Sequence, residues 1–178
     1  MNHFKTCLWL VLTLLALPLH ADDFSVSWPF DQCGNNAATG TPNQPDVLSY
    51  SNVALGNDLG YNVVRKTGDV TMSLVQPKVQ AGENKEANAI VLSMKLKKGL
   101  HFQPKLFSFY SCRCGTNGGQ FDVVATADGK SATLATGVKP ASANNYDKCQ
   151  YDLSPLGDVT GEVQIKIYVK SLATNKQY

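Results

Sequence analysis

The chain has 178 residues, 43% of them hydrophobic, 17% charged and 9% aromatic, with a formal charge of +2 at pH 7. That balance excludes a disordered polyelectrolyte and a membrane protein of many spans, and one compact domain is expected. Lys and Arg are too few and too scattered to form the basic stripe that phosphate neutralisation requires, so no nucleic-acid partner is expected.

Residues 1–21 carry one lysine, Lys5, then an apolar run from Leu8 to Leu19, then Ala21 before the acidic pair Asp22 and Asp23. This is the layout of a secretory signal peptide. The run is shorter than the roughly 20 residues that span a bilayer core, so cleavage after Ala21 is expected rather than anchoring. Cys7 precedes the run, which argues against a lipidated cysteine there. The mature chain would be 22–178, with no membrane insertion and a charge of +1, because Lys5 is the one Lys or Arg removed. Its expected location is extracellular, periplasmic or at the cell surface. The cut also removes Trp9, His3 and His20, and leaves Trp28 and His101.

Along the mature chain, period-two alternation predicts strands at 24–28, 68–76, 89–97, 106–113, 120–126, 131–136 and 161–170. The alternation is cleanest in 89–97, with Ile90, Leu92, Met94 and Leu96 on one face. In 161–170 it sets Val163, Ile165, Ile167 and Val169 inward and Glu162, Gln164, Lys166 and Lys170 outward. Phe24, Val26 and Trp28 alternate in the first strand, which favours core packing for Trp28. Residues 31–47 read as a long loop. Asp128-Gly129 between alternating runs signals a short hairpin, since both residues tolerate positive φ. With seven to nine strands and no helical period, the predicted fold class is all-β, an antiparallel β-sandwich. The last predicted strand ends near Leu172, leaving no room for a returning strand before Tyr178.

Four cysteines follow the apolar leader: Cys33, Cys112, Cys114 and Cys149. In an oxidising compartment their even number predicts disulfides. Cys112 and Cys114 sit on one face of a strand, where a mutual bridge would be strained, so two of the three pairings remain. Zinc is disfavoured because such sites favour C-x₂₋₄-C knuckles, and this sequence has one C-x-C.

One histidine cannot build a metal site of several imidazoles, and no G-x-S-x-G turn is present. His101 lies in the connection after Lys97-Lys98-Gly99 and reads as a solvated loop residue. Dispersed aspartates leave a glycosidase carboxylate pair as the one open enzymatic route, and no enzyme is expected. Sugar recognition asks for less: a flat aromatic for a pyranose face and a few hydrogen-bonding side chains. Tyr50, Tyr61 and Tyr146, in Asn-rich surroundings outside the strong strands, are the candidates, with Asn144 beside them.

The segment from Phe102 to Val123, with Phe109-Tyr110-Ser111-Cys112-Arg113-Cys114-Gly115 and Gly118-Gly119-Gln120-Phe121-Asp122 at its centre, resembles a pattern of secreted Bacteroides and Prevotella proteins. There it belongs to a galactose-binding-like jelly-roll domain, of carbohydrate-binding-module type, that often precedes pectate lyase or glycoside hydrolase domains. Trp28-Pro29-Phe30-Asp31, Val53-Ala54-Leu55-Gly56 and Ile167-Tyr168-Val169 fall in the order of that pattern, so the resemblance spans nearly all the mature chain. It implies a jelly roll and a secreted, non-catalytic module positioned on a polysaccharide. The alternatives are an adhesive or structural surface domain without a sugar ligand, or the front of a polysaccharide-degrading enzyme whose catalytic domain lies downstream. Arg113 and Asp122 are expected to form a cross-strand pair. Cys112 and Cys114 depart from the pattern, as does the lack of its terminal strand after Tyr178, which suggests a truncated product. No cofactor is expected. Modules of this type often carry a structural calcium on loop oxygens, but no acidic loop of EF-hand density marks ligands here.

Overall fold

The computed structural model describes residues 23–28, 39–41, 47–67, 70–79, 81–112, 119–140 and 146–170. The predicted leader at 1–21, Cys33, Arg113, Cys114, Asn144 and the segment after Lys170 lie outside them. In chain order the strands are β1 Ser25–Ser27, β2 Thr39–Thr41, β3 Leu48–Tyr50, β4 Ala54–Leu55, β5 Leu59–Thr67 and β6 Val70–Pro77. They continue with β7 Ala89–Leu96, β8 Leu106–Ser111, β9 Gln120–Ala127, β10 Lys130–Val138, β11 Asp147–Asp152 and β12 Glu162–Lys170. Helix is confined to 3-10 turns at Glu86–Asn88 and Ser154–Leu156 among the described residues.

The principal sheet has the order β10-β9-β12-β7-β3, with β4 also on β7, and every pairing is antiparallel. Register fixes its faces. Ile165 pairs with Ala125 and Leu92, and Ile167 with Val123 and Ile90. Directly opposed residues share a face, so these apolar side chains form one continuous surface. Against it lies a second layer that includes β8 paired with β11. Phe109 of β8 meets Phe121 of β9 edge to face at 5.2 Å and Phe107 at 5.5 Å. Leu153, Leu156 and Val159, on the connection from β11 to β12, close the same core. The fold is therefore an all-β antiparallel sandwich.

Asp128 and Gly129 join β9 to β10 with φ of 49° and 78°. Positive φ at both central residues gives the tight turn whose twist suits two antiparallel strands. The Asp128 carboxylate accepts from the Thr160 N–H at 2.6 Å and the Thr160 hydroxyl at 3.1 Å. These bonds, Thr160 N–H first, hold the carboxyl below its ordinary range.

Several expectations are corrected. Tyr50 and Tyr61 lie in β3 and β5, not in loops. Residues 39–41, expected in a long loop, form β2 on β1. Lys170 lies on the outward face, as its alternation predicts, but is buried there at 8% exposure with Asp122 as its partner. Asp122 is paired with Lys170, and its expected cross-strand partner Arg113 lies outside the described residues.

The pair sits on the face of the principal sheet away from the core. Asp122 opposes Tyr168, and Lys170 opposes Gln120. Elsewhere that face is polar, as Gln164 donates to the Ser93 hydroxyl at 3.3 Å. Segment 83–88 folds against it. The Asn88 amide donates to the carbonyls of Glu83 and Val169, both at 3.0 Å, and its oxygen accepts the Lys85 N–H at 2.8 Å. Lys166 reaches Glu86 at 2.6 Å.

Candidate functional site

Alternation along β8 and β11 divides their side chains cleanly. Phe107, Phe109, Cys149 and Tyr151 face the core, and Leu106, Ser108, Tyr110, Lys148, Gln150 and Asp152 face solvent. Tyr110 lies directly opposite Lys148, Ser108 opposite Gln150, and Leu106 opposite Asp152. Tyr110 is 46% exposed and Leu106 59%. An aromatic ring thus stands on the outer face of a two-strand ribbon beside an ammonium, with a hydroxyl and an amide at the next same-face position and a carboxylate one position further, opposite Leu106. The Asp152 carboxylate accepts from the Ser154 hydroxyl at 2.6 Å and the Ser154 N–H at 2.8 Å, which hold it below its usual range and fix its orientation.

On the inner face, burial pushes the Tyr151 phenol up to about 12, and the neighbouring Cys149 thiol adds to the shift. Phe109 lies 6.2 Å from the Tyr151 ring. These groups are packing elements of the core.

The second feature is a cleft of 1310 Å³ between the layers. Its floor is the apolar face of the principal sheet at Ile90, Leu92, Met94, Ile165 and Ile167, and β8 runs along it from Leu106 to Ser111. Among the described residues β8 pairs with β11 alone, so its other edge has no strand partner. Trp28 lines the same cleft and also packs on the core, as its alternation predicts, while its Nε1 donates to the Ser51 carbonyl at 2.9 Å.

The structure separates the tyrosines expected to bind sugar. The Tyr50 hydroxyl accepts the Gly40 N–H at 3.0 Å, and a Cβ on Gly40 would come within 2.8 Å of the ring. Tyr50 therefore clamps β2 onto β3. Tyr61 is half-buried in β5 opposite Val75. Tyr146 is half-buried and lines the cleft, whereas Tyr50 and Tyr61 do not. Tyr110 was missed because its strand was read for its core face. The same alternation, applied to the outward set, singles it out. His101 is exposed in the connection after β7, as expected.

No disulfide joins cysteines among the described residues, which counts against the pairing of Cys112 with Cys149. Alternation continued one residue past β8 sets Cys112 on the side of Tyr110, while Cys149 faces the core opposite Phe109. Opposite faces of one ribbon keep two sulfurs beyond bonding reach. The Cys149 thiol instead lies 3.4 Å from the Ser111 hydroxyl. Among the described residues no group of three or more His, Cys, Asp or Glu side chains is placed to hold a metal ion. None of their helices is long and apolar enough to cross a membrane.

No family model, no curated protein and no solved structure matches this chain.

Proposed function

We propose that the chain is a secreted, non-catalytic carbohydrate-binding module of jelly-roll type, and that its glycan lies on the outer face of β8 and β11. The observation that carries this reading is the exposed Tyr110 ring on the outer face of the ribbon, with Lys148 opposite it and Ser108 and Gln150 at the next same-face position. A pyranose presents an apolar C–H face to such a ring, and its hydroxyls accept from the Lys148 ammonium and donate to or accept from the Gln150 amide. The sugar makes weak, reversible contacts without turnover. The leader at 1–21 and the resemblance of residues 102–123 to polysaccharide-associated modules support the same reading.

Retention of the chain on insoluble pectin, xylan and mannan, with and without a chelator, tests it. Specific retention is expected, and Tyr110→Ala should abolish it while leaving the fold intact, because the ring is half in solvent. Unchanged retention by Tyr110→Ala would overturn the site. Release of reducing ends by the purified chain would overturn the non-catalytic reading. Failure of a folded chain to bind any polysaccharide would favour the adhesive or structural surface domain.

A further inference from the structure

The outer face of β8 and β11 is uneven in charge. Lys148 is exposed directly opposite Tyr110, and among the described residues its ammonium has no ion-pair partner. Asp152 is the one acid on this face of the two strands. It follows Lys148 by two same-face steps along β11, about 13 Å at 3.3 Å per residue, which exceeds the screening length of about 8 Å at physiological salt. Its carboxylate is also taken up by the Ser154 N–H and hydroxyl, at 2.8 and 2.6 Å. Asp147, next to Lys148 in the chain, is half-buried on the other face.

The sequence adds no acid at the Tyr110 end of the ribbon. Residues 112–121 leave β8 and residues 138–146 lead into β11; together they contain Arg113 and Lys139 and no Asp or Glu. An exposed ring therefore stands beside an ammonium whose charge nothing nearby on that face offsets. Towards a neutral hydroxyl such an ammonium offers a hydrogen bond, and towards an anionic group it adds a charge attraction. Directly opposed residues have Cβ atoms about 5 Å apart. A pyranose seated on the Tyr110 ring thus brings a substituent at its edge within reach of the flexible four-carbon lysine stem.

We propose, on the glycan reading of this face, that the sugar it takes is acidic: a pyranose whose carboxylate or sulfate sits on Lys148 while its C–H face lies on Tyr110. Lysine presents a point charge without the planar fork of arginine, so carboxylate and sulfate satisfy it alike. Ser108 and Gln150, at the next same-face position, are neutral and serve the hydroxyls of the neighbouring sugar.

Soluble oligogalacturonate and its methyl ester share one backbone and differ in charge. Titrated into the full chain, the acid should bind about two- to fivefold more tightly than the ester, the worth of an exposed ion pair. The gap should close in molar salt, where the screening length is about 3 Å. Lys148→Gln should bring the ratio to about one. Lys98→Gln, exposed in the turn after β7, removes the same charge elsewhere and should leave the ratio unchanged. A sulfated galactan and its desulfated form make the second arm. Preference within the first pair assigns a uronate, and within the second a sulfated sugar. Equal affinity within both pairs, in a chain that binds them, would overturn the acidic sugar and leave the glycan reading standing. Equal loss of the ratio in Lys148→Gln and Lys98→Gln would overturn it as well, because net charge would then suffice. Binding of no polysaccharide, acidic or neutral, by a chain with native circular dichroism would overturn both.

Discussion

Lys170 Nζ lies 2.6 Å from Asp122 Oδ2, with the two side chains 10% and 6% exposed, on the sheet face that alternation assigns to solvent. The other Asp122 oxygen accepts the Gly137 N–H at 2.7 Å, where the β9–β10 register shifts. Burial alone would push this carboxyl up. The Lys170 ammonium, the Gly137 N–H and the Asn84 side chain together hold it below its ordinary range instead.

Removing one partner leaves the other charge buried and uncompensated. Lys170→Met or Asp122→Leu alone should each cost about 3–5 kcal/mol. The double substitution should recover most of that loss, since two apolar groups need no partner. Urea unfolding of the four proteins, read as a double-mutant cycle, checks this; additive losses would mean that the two groups are not coupled.

The same carboxyl sets an acid limit. Its folded pKa is lowered from 3.8, so its stabilisation is complete above the unfolded value and is lost as pH falls through the folded one. Unfolding free energy should therefore decline below about pH 4. The decline should be shallower in the double apolar variant. Urea midpoints measured from pH 6 to pH 2 for both proteins decide the point.

Gly56 packs where no side chain fits. A Cβ there would collide with the carbonyls of Glu86 and Ala87, and the Gly56 N–H already bonds to Ala89 O at 2.9 Å. Gly56→Ala should cost more than about 2 kcal/mol by forcing segment 83–88 away from the sheet. Gly82→Ala meets nothing within 4 Å and should be neutral or slightly stabilising. Thermal melts of the two variants provide the contrast.

Tyr50→Phe removes the acceptor for the Gly40 N–H and keeps the ring. About 1 kcal/mol of stability should be lost, with glycan retention unchanged. Lost retention with unchanged stability would return Tyr50 to the binding site and take it away from the clamp.

Most long strands are legible because their evidence is local, although β5, nine residues from Leu59 to Thr67, is not among those the alternation predicts. In β7 and β12 large apolar residues recur every second position, and in β9 Phe121, Val123, Ala125 and Ala127 do so with smaller side chains, which favours an extended chain with one face buried, and Asp128-Gly129 encodes its own turn. β11 was missed. Its inward residues, Asp147, Cys149 and Tyr151, carry no aliphatic signal, and it forms through its register with β8, far away in sequence. β3 and β4 are three and two residues long, too short for any period to show. Neighbourhood composition, the signal that points to Tyr50 and Tyr61, does not reveal that Tyr50 is engaged by Gly40 or that Tyr61 is half-buried.

By itself the sequence determined the all-β class, the antiparallel hairpin at Asp128-Gly129 and the inward faces of the main strands, since side-chain alternation follows from backbone geometry at each residue. The tertiary structure alone decided that Lys170 is buried, that Tyr110 stands on an open face and that a cleft runs beneath β8. Each of these depends on what covers a surface, and the covering residues are brought there by folding from tens of positions away.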